Sequence, residues 1–206
     1  LLHSSKRRAF SMPKISLKAG TLLAPLPAVL VTCGTKEKAN VLTIAWTGII
    51  NTVPPMTYIS VRPERHSYSI IKETGEFVIN LTTSAMAKET DFCGVRSGRD
   101  IDKISRCRLH LTAGETVSAP VIEESPLSLE CRVTEIKELG SHHMFIAEIT
   151  KVRLEERFMD SKGKINLQQA GLMAYSHGEY FSLGRKLGDF GFSVRKKPKT
   201  GKDGRK

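Results

Sequence analysis

Short apolar runs separated by turn residues occupy most of the middle of the chain. The β-type runs lie at residues 28–33, 41–50, 56–62, 77–81, 128–136 and 144–154. The first run, Ala-Val-Leu-Val-Thr-Cys, is continuously apolar, which predicts a strand that is buried on both faces. Gly140-Ser141 separates the last two runs and predicts a hairpin between them. Pro54-Pro55 excludes helix and central-strand pairing at that point.

Two segments have the composition of short helices. Residues 67–74 and 84–92 each begin with a serine that we expect to cap the helix, and Gly75 and Gly94 lie at their ends. Many short strands with few helices predict a mainly β protein, a closed or nearly closed β-barrel with flanking helices.

The length and the charge distribution predict one folded domain with basic ends. The chain has 206 residues, of which 40% are hydrophobic, so it can fold without disulfides or metal ions. Residues 1–18 contain five Lys or Arg and no acidic residue. Residues 195–206 contain seven Lys or Arg and one acidic residue. Because the net charge is +11, residues 19–194 are neutral as a whole. We expect a leader over 1–18, with a natural start at Met12, and a disordered tail over 195–206.

A neutral body with basic ends favours solvated tails over a folded nucleic-acid surface. The alternative that this pattern leaves open is a non-catalytic β-barrel module that binds nucleic acid or another polyanion through its ends. No apolar stretch is long enough to span a membrane, and the first residues lack a signal-peptide core. The four cysteines form no Cys-x-x-Cys pair, which supports neither a zinc ribbon nor a thioredoxin motif. Spaced cysteines without a signal peptide predict reduced thiols and a cytoplasmic location.

The sequence offers little for hydrolytic or metal chemistry. It has neither a Gly-x-Ser-x-Gly motif nor a clear pair of carboxylates. His142 and His143 are adjacent on a predicted strand and should point to opposite faces, so we expect no shared metal ion. We therefore predict neither a metal site nor a catalytic side chain.

A more informative pattern lies between Asn40 and Ser67. Polar and aromatic residues, including Trp46, follow one strand, and a second strand ends near Arg62. Ser67 then opens a predicted helix, whose free N–H groups and positive dipole end favour a phosphate. The alternative interpretation makes Trp46 a core residue and Ser67 only a cap.

Taken in order, these segments resemble the flavin reductase-like, FMN-binding split-barrel family, and within it the flavoredoxins. The resemblance extends over residues 22–196. The matching segments are residues 25–32, 40–47, 54–62, 65–67, 74–81, 97–103, 129–131 and 140–142.

The resemblance implies a split barrel that forms a homodimer with FMN near the dimer interface. The cofactor-binding positions that it implies are Asn40, Thr43, Ala45, Trp46, Thr47, Ser60, Val61, Arg62, Ser67, Lys103, His142 and Tyr175. Among these, Ser67 would take the phosphate, and Lys103 would supply a cation to phosphate or ribityl oxygens, from the same subunit or from the partner. Tyr175 would flank the flavin or serve only in packing. Ser141 stands where many relatives have Asp, which leaves the partner and the role of His142 open.

The same resemblance implies a cofactor-borne reaction. Flavin N5 would accept hydride from NADH or NADPH, and the electrons would pass to an acceptor. No Gly-x-Gly-x-x-Gly follows a strand, so a nicotinamide would have to approach an exposed flavin face directly. Two chemistries stay open, a reductase that exchanges flavin and an electron carrier that needs a protein donor.

Overall fold

The computed structural model describes residues 12–195. Residues 1–11 of the predicted leader and residues 196–206 of the predicted tail lie outside the described residues. The strands are β1 (Leu26–Pro27), β2 (Val29–Cys33), β3 (Asn40–Ile44), β4 (Thr47–Thr52), β5 (Pro55–Val61), β6 (Glu76–Leu81), β7 (Leu111–Thr112), β8 (Val121–Ile122), β9 (Leu127–Glu138), β10 (His143–Leu154), β11 (Met173–Ser176) and β12 (Glu179–Ser182). The helices are α1 (His66–Thr74), α2 (Ala87–Val95) and α3 (Lys103–Cys107).

A seven-stranded antiparallel sheet forms the body of the fold. Its strand order is β3-β2-β6-β9-β10-β5-β4, so the strands at its two edges follow each other in the chain. Residues 41–50 were predicted as one strand, and this is wrong, because the chain leaves one edge at Ile44 and enters the other at Thr47. The Ser60 N–H donates to the Trp46 carbonyl at 2.9 Å across this crossing. The predicted mainly β architecture, a split barrel, is confirmed.

Strand β2 lies at the centre of the packing. All five of its residues are buried, which confirms the prediction of a strand buried on both faces. On one side Val29 and Val31 pack with Phe77 and Phe145 inside the barrel. On the other side Leu30 belongs to a second apolar cluster, which joins the sheet to α2. The sheet therefore presents one face to the barrel interior and one to the helices.

Helix α1 ends as predicted but begins differently. Gly75 adopts a left-handed conformation (φ 67°), and its N–H donates to the Ile71 carbonyl at 2.9 Å. Arg65 occupies the N-cap position, so the prediction that Ser67 caps the helix is wrong. Ser67 is buried in the first turn, where its Oγ accepts a hydrogen bond from Asn40 Nδ2 at 2.5 Å. The Ser67 hydroxyl therefore makes a tertiary hydrogen bond to Asn40 of β3 instead of the predicted capping bond within the helix.

The second predicted helix also starts differently, and a third helix was not predicted. Ser84 begins a 3₁₀ turn ahead of α2, and its hydroxyl donates to the Gly171 carbonyl at 3.2 Å, so it is not the cap of α2. Helix α3 has only five residues, and Asp102 caps it by accepting from the Ser105 N–H at 3.1 Å. One turn of helix carries too little periodicity to be recognised in the sequence.

The strands β9 and β10 form the predicted hairpin. Gly140 has φ 89°, and the Leu139 N–H donates to the His142 carbonyl at 3.1 Å. A three-stranded sheet, β1-β11-β12, lies beside the barrel, and β7 and β8 pair with each other. Within residues 12–195, no helix combines the length and the apolar character that crossing a lipid bilayer requires.

A buried carboxylate ties a surface loop to β9. Glu130 is fully buried, and its carboxylate accepts from the N–H groups of Glu115 at 3.0 Å and Thr116 at 2.7 Å. Arg153 Nη1 lies 3.6 Å from the same carboxylate. Burial opposes ionisation of Glu130, but these hydrogen bonds and the arginine together hold its pKa below the ordinary value.

The Glu130→Gln substitution should lower the free energy of unfolding at pH 7 by about 1–3 kcal/mol. The carboxylate of Glu130 contributes stability above its unfolded pKa, and this contribution is lost as pH falls through the lower folded pKa. The difference between the two proteins should therefore shrink in acid. Urea unfolding at several pH values measures it, with exposed Glu135→Gln on the same strand as control. An equal loss at every pH would contradict this account.

Candidate functional site

A cleft of about 380 Å³ opens where the edge of the barrel meets α2 and the β11–β12 hairpin. It begins at Ala45 and Trp46, where the chain passes from β3 at one edge of the sheet to β4 at the other edge. The cleft therefore lies at the opening between the two edges of the sheet. The sequence-predicted residues that the structure brings together around this first cleft are Thr43, Ala45, Trp46, Ser60, Val61, Arg62, His142 and Tyr175.

An aromatic pair forms one rim of the first cleft. Trp46 is 37% exposed, so the alternative that made it a core residue is wrong. The Trp46 and His142 ring centroids are 4.3 Å apart, with the rings tilted by 39°. Burial and the nearby Arg62 guanidinium lower the pKa of His142, which favours the neutral imidazole at pH 7. The rim therefore offers flat, uncharged rings to a ligand.

The neighbouring histidine points the other way. His143 Nδ1 lies 2.7 Å from the Tyr68 hydroxyl, on the side where α1 packs. His142 Nδ1 instead lies 3.1 Å from Ser141 Oγ. The two histidines therefore face opposite sides, as predicted. Across residues 12–195, no group of His, Cys, Asp and Glu side chains is arranged to hold a metal ion.

The β11–β12 hairpin forms another wall of the first cleft. The Tyr175 and Tyr180 ring centroids are 5.5 Å apart, and the Tyr180 hydroxyl donates to Asp91 Oδ1 of α2 at 3.3 Å. Burial and the Asp91 carboxylate raise the pKa of Tyr180 to about 12, so the phenol stays protonated. Sequence reasoning found Tyr175 and missed Tyr180 and Asp91. The turn at His177-Gly178 was the available signal, because it folds Tyr180 back beside Tyr175.

A second cleft of about 270 Å³ continues from the first, and both are lined by Arg65 and Val95. Three further predicted residues line this cleft, namely Asn40, Ser67 and Lys103. Arg65 Nη2 donates to the Gly94 carbonyl at 2.7 Å, which holds the arginine at the junction of the two clefts. Arg65 precedes Ser67 by two residues and was not among the predicted site residues.

Lys103 carries the most unusual charge in the second cleft. It is 3% exposed, and its Nζ donates to the carbonyls of Cys93 and Arg96, both at 3.2 Å. Among the described residues, no carboxylate lies within 4.0 Å of this ammonium group. Burial lowers the pKa of Lys103, because the charged form is poorly solvated there. An ammonium group in this environment favours an anionic ligand in the cleft.

The floor of the second cleft is closely packed. A Cβ atom placed on Gly98 would overlap Asn40 Oδ1 and would lie 3.0 Å from His66 Cδ2. The backbone of the loop at Gly98 therefore rests directly on Asn40. This contact fixes the amide of Asn40, which in turn donates to Ser67 Oγ.

Thr47 is the predicted residue that lies outside both clefts. Its side chain is buried, and its hydroxyl donates to the Tyr58 carbonyl at 2.5 Å, between β4 and β5. Thr43 lines the first cleft, and its hydroxyl donates to the Thr90 carbonyl of α2. These two threonines join the strands at the crossing to their neighbours.

Comparison with known proteins agrees with this architecture. Residues 22–184 match the model of the flavin reductase like domain. The flavoredoxin of Desulfovibrio vulgaris (Miyazaki F) superposes with a TM-score of 0.82 at 29% identity, over 89% of this chain and 100% of that chain. Flavoredoxin from Methanosarcina acetivorans gives a TM-score of 0.81 at 30% identity, with the same coverage of 89% and 100%. An uncharacterised protein of Archaeoglobus fulgidus is 34% identical over 160 residues, which are 78% of this chain and 89% of that protein.

The family model covers most of the chain, and the superpositions on the two flavoredoxins each cover 89% of it. The resemblance stated from the sequence motifs is thereby confirmed. This chain belongs to the flavin reductase-like family, and within that family it is similar to the flavoredoxins.

Proposed function

We propose that this protein is a flavin oxidoreductase that binds FMN across the two clefts. The observation that carries the proposal is their junction at Arg65, where an aromatic cleft meets a polar one that contains a buried, unneutralised ammonium group. FMN has the matching order of parts, since a flat ring system is joined to a phosphate by a flexible arm. The volumes of about 380 Å³ and 270 Å³ leave room for both parts.

The residues present fit both ends of FMN. Trp46 and Tyr175 both line the first cleft and supply aromatic rings there. In the second cleft, Lys103 supplies charge, and Ser67 lies in the first turn of α1, where free N–H groups favour an anion. A hydroxyl that accepts one hydrogen bond, as Ser67 does from Asn40, can still donate another.

When bound, FMN would supply the redox chemistry, because it accepts hydride at N5 and passes electrons onward singly or in pairs. The side chains of the first cleft would hold the ring in place and exclude water from one face. Hydride transfer depends chiefly on this alignment, so it needs no strong acid or base from the protein. The neutral His142 and the protonated Tyr180 are consistent with that requirement.

We propose NADH or NADPH as the electron donor. The first cleft is open to solvent beside Trp46 and Arg62, both of which are exposed, so a nicotinamide ring could stack on a bound flavin there. Electrons would then pass from the flavin to an acceptor. The alternative within this function is an electron carrier whose donor is a protein.

Phosphate recognition by Lys103 and Ser67 predicts a selective loss of FMN affinity. Lys103→Met and Ser67→Ala should each weaken FMN binding by about 1–3 kcal/mol, because each removes a hydrogen bond to a charged group. Riboflavin, which lacks the phosphate, should bind equally well to all three proteins. Quenching of flavin fluorescence measures both affinities.

The ratio of the two affinities separates ligand recognition from general destabilisation, since a loosened fold would weaken both ligands alike. Lys36→Met, an exposed position outside both clefts, is the matched control and should leave both affinities unchanged. Equal losses for FMN and riboflavin would remove Lys103 and Ser67 from the phosphate site.

The proposed donor predicts rapid reduction of the bound flavin. Anaerobic stopped-flow mixing of the FMN-loaded protein with NADH or NADPH should bleach the flavin at least roughly 100-fold faster than the same nicotinamide bleaches free FMN, because the protein aligns the rings. A flavin that stays oxidised with both nucleotides would contradict the reductase and favour the carrier.

We also propose that the protein forms a homodimer through the edge strand β4. This strand and its turn expose Ile49, Ile50 and Val53, with exposed fractions of 66%, 49% and 86%. Exposed apolar side chains on an edge strand favour a protein contact. Because β4 starts directly after Trp46, a second copy would border the first cleft.

The dimer proposal predicts twice the mass of the chain in light scattering coupled to size exclusion. Ile49→Lys should shift the protein toward the monomer, because it places a charge in the apolar contact. Val152→Lys is the matched control, since Val152 is also an exposed apolar residue but lies on β10. A monomeric unmodified protein would refute the proposal.

A further inference from the structure

Two cysteines face each other between α2 and α3. Cys93 Sγ and Cys107 Sγ are 3.9 Å apart, and both thiols are free. Cys93 is fully buried in the apolar cluster that contains Leu30 and Met86, and Cys107 is half-buried at its border. The flavin site described above uses neither thiol.

The separation is that of two sulfur atoms in contact. A disulfide requires about 2.05 Å between the sulfurs, so each side chain has to move by roughly 1 Å. The other two cysteines are engaged elsewhere, since Cys33 Sγ donates to the Asn40 carbonyl at 3.7 Å and Cys131 Sγ to the Leu129 carbonyl at 3.4 Å. Cys93 and Cys107 are therefore the pair that the fold has brought together.

A small oxidant can reach this pair by its own route. Cys107 lines a third cleft of about 470 Å³, together with Glu89, Arg108 and Phe158. The residues of this cleft are different from those of the first and second clefts. Oxidation of the pair therefore does not require access to the flavin.

We propose that Cys93 and Cys107 are a modification site, at which a peroxide forms a reversible disulfide. The Cys107 sulfur, which is the accessible one, attacks a peroxide oxygen. The O–O bond breaks, one water leaves, and Cys107 becomes a sulfenic acid. The Cys93 sulfur then attacks the Cys107 sulfur, the S–O bond breaks, and a second water leaves. In sum, two thiols lose two electrons and two protons, and hydrogen peroxide becomes two waters.

The surroundings of the thiols predict slow chemistry in both steps, and the contact between the two sulfurs favours the disulfide as the product. Burial raises the pKa of Cys93 to about 12 and also raises that of Cys107, so both are protonated thiols at neutral pH. Reaction with peroxide is then slow, because the thiolate is the nucleophile. Once the sulfenic acid forms, the nearest sulfur is already in contact with it.

The disulfide would close the segment that forms one wall of the second cleft. Residues 96–103 lie between the two cysteines, and Lys103 begins the helix that Cys107 ends. Closing a loop of this length restricts the unfolded chain more than the folded one. The oxidised protein should therefore melt at a temperature several degrees above that of the reduced protein.

Treatment with excess hydrogen peroxide, followed by alkylation and non-reducing peptide mass mapping, tests the site. The expected product is a peptide pair that contains Cys93 and Cys107, lacks two hydrogen atoms, and separates after dithiothreitol. The rise in melting temperature should appear in the unmodified protein and in Cys131→Ser, and should be absent from Cys107→Ser. Over-oxidation of Cys107 with Cys93 still open to alkylation, or a disulfide to Cys33 or Cys131, would overturn the proposal. So would two unmodified thiols after prolonged treatment.

Discussion

The burial of the Lys103 ammonium group is the constraint on which the candidate site depends. A charge that is removed from water destabilises the fold unless other groups solvate it, and here two carbonyls at the end of α2 do so in part. These bonds hold α2, the following loop and α3 together. The same loop packs against Asn40 through Gly98, and Asn40 reaches Ser67 on α1. The arrangement of the second cleft thus depends on the hydrogen bonds that the buried Lys103 ammonium group makes.

The split in the sheet supplies the other half of the site. Because β3 and β4 lie at opposite edges, Ala45 and Trp46 belong to neither strand, and Trp46 lies on the rim of the first cleft. The first cleft therefore lies where the barrel is open. Arg65 lines both clefts. It precedes α1, and its guanidinium donates to the Gly94 carbonyl of α2. A ligand with a flat ring and a phosphate would use both.

Those parts of the fold that rest on local patterns could be predicted from the sequence. The buried run of β2, the end of α1 at Gly75 and the β9–β10 hairpin each leave a local signature. The parts set by tertiary contacts could not be predicted. Ser67 looked like a cap, but a distant amide binds it, and one β-rich run proved to be two strands at opposite edges. Likewise, Asp91 and Tyr180 are separated in sequence and joined only by the fold.

A crystal structure of the protein grown with FMN would test the central claim most directly. The account predicts the isoalloxazine ring beside Trp46 in the first cleft and the phosphate within hydrogen-bond distance of Lys103 Nζ and Ser67 Oγ. A ring bound outside the first cleft, or a phosphate left in solvent while Lys103 keeps only its two carbonyl partners, would contradict it.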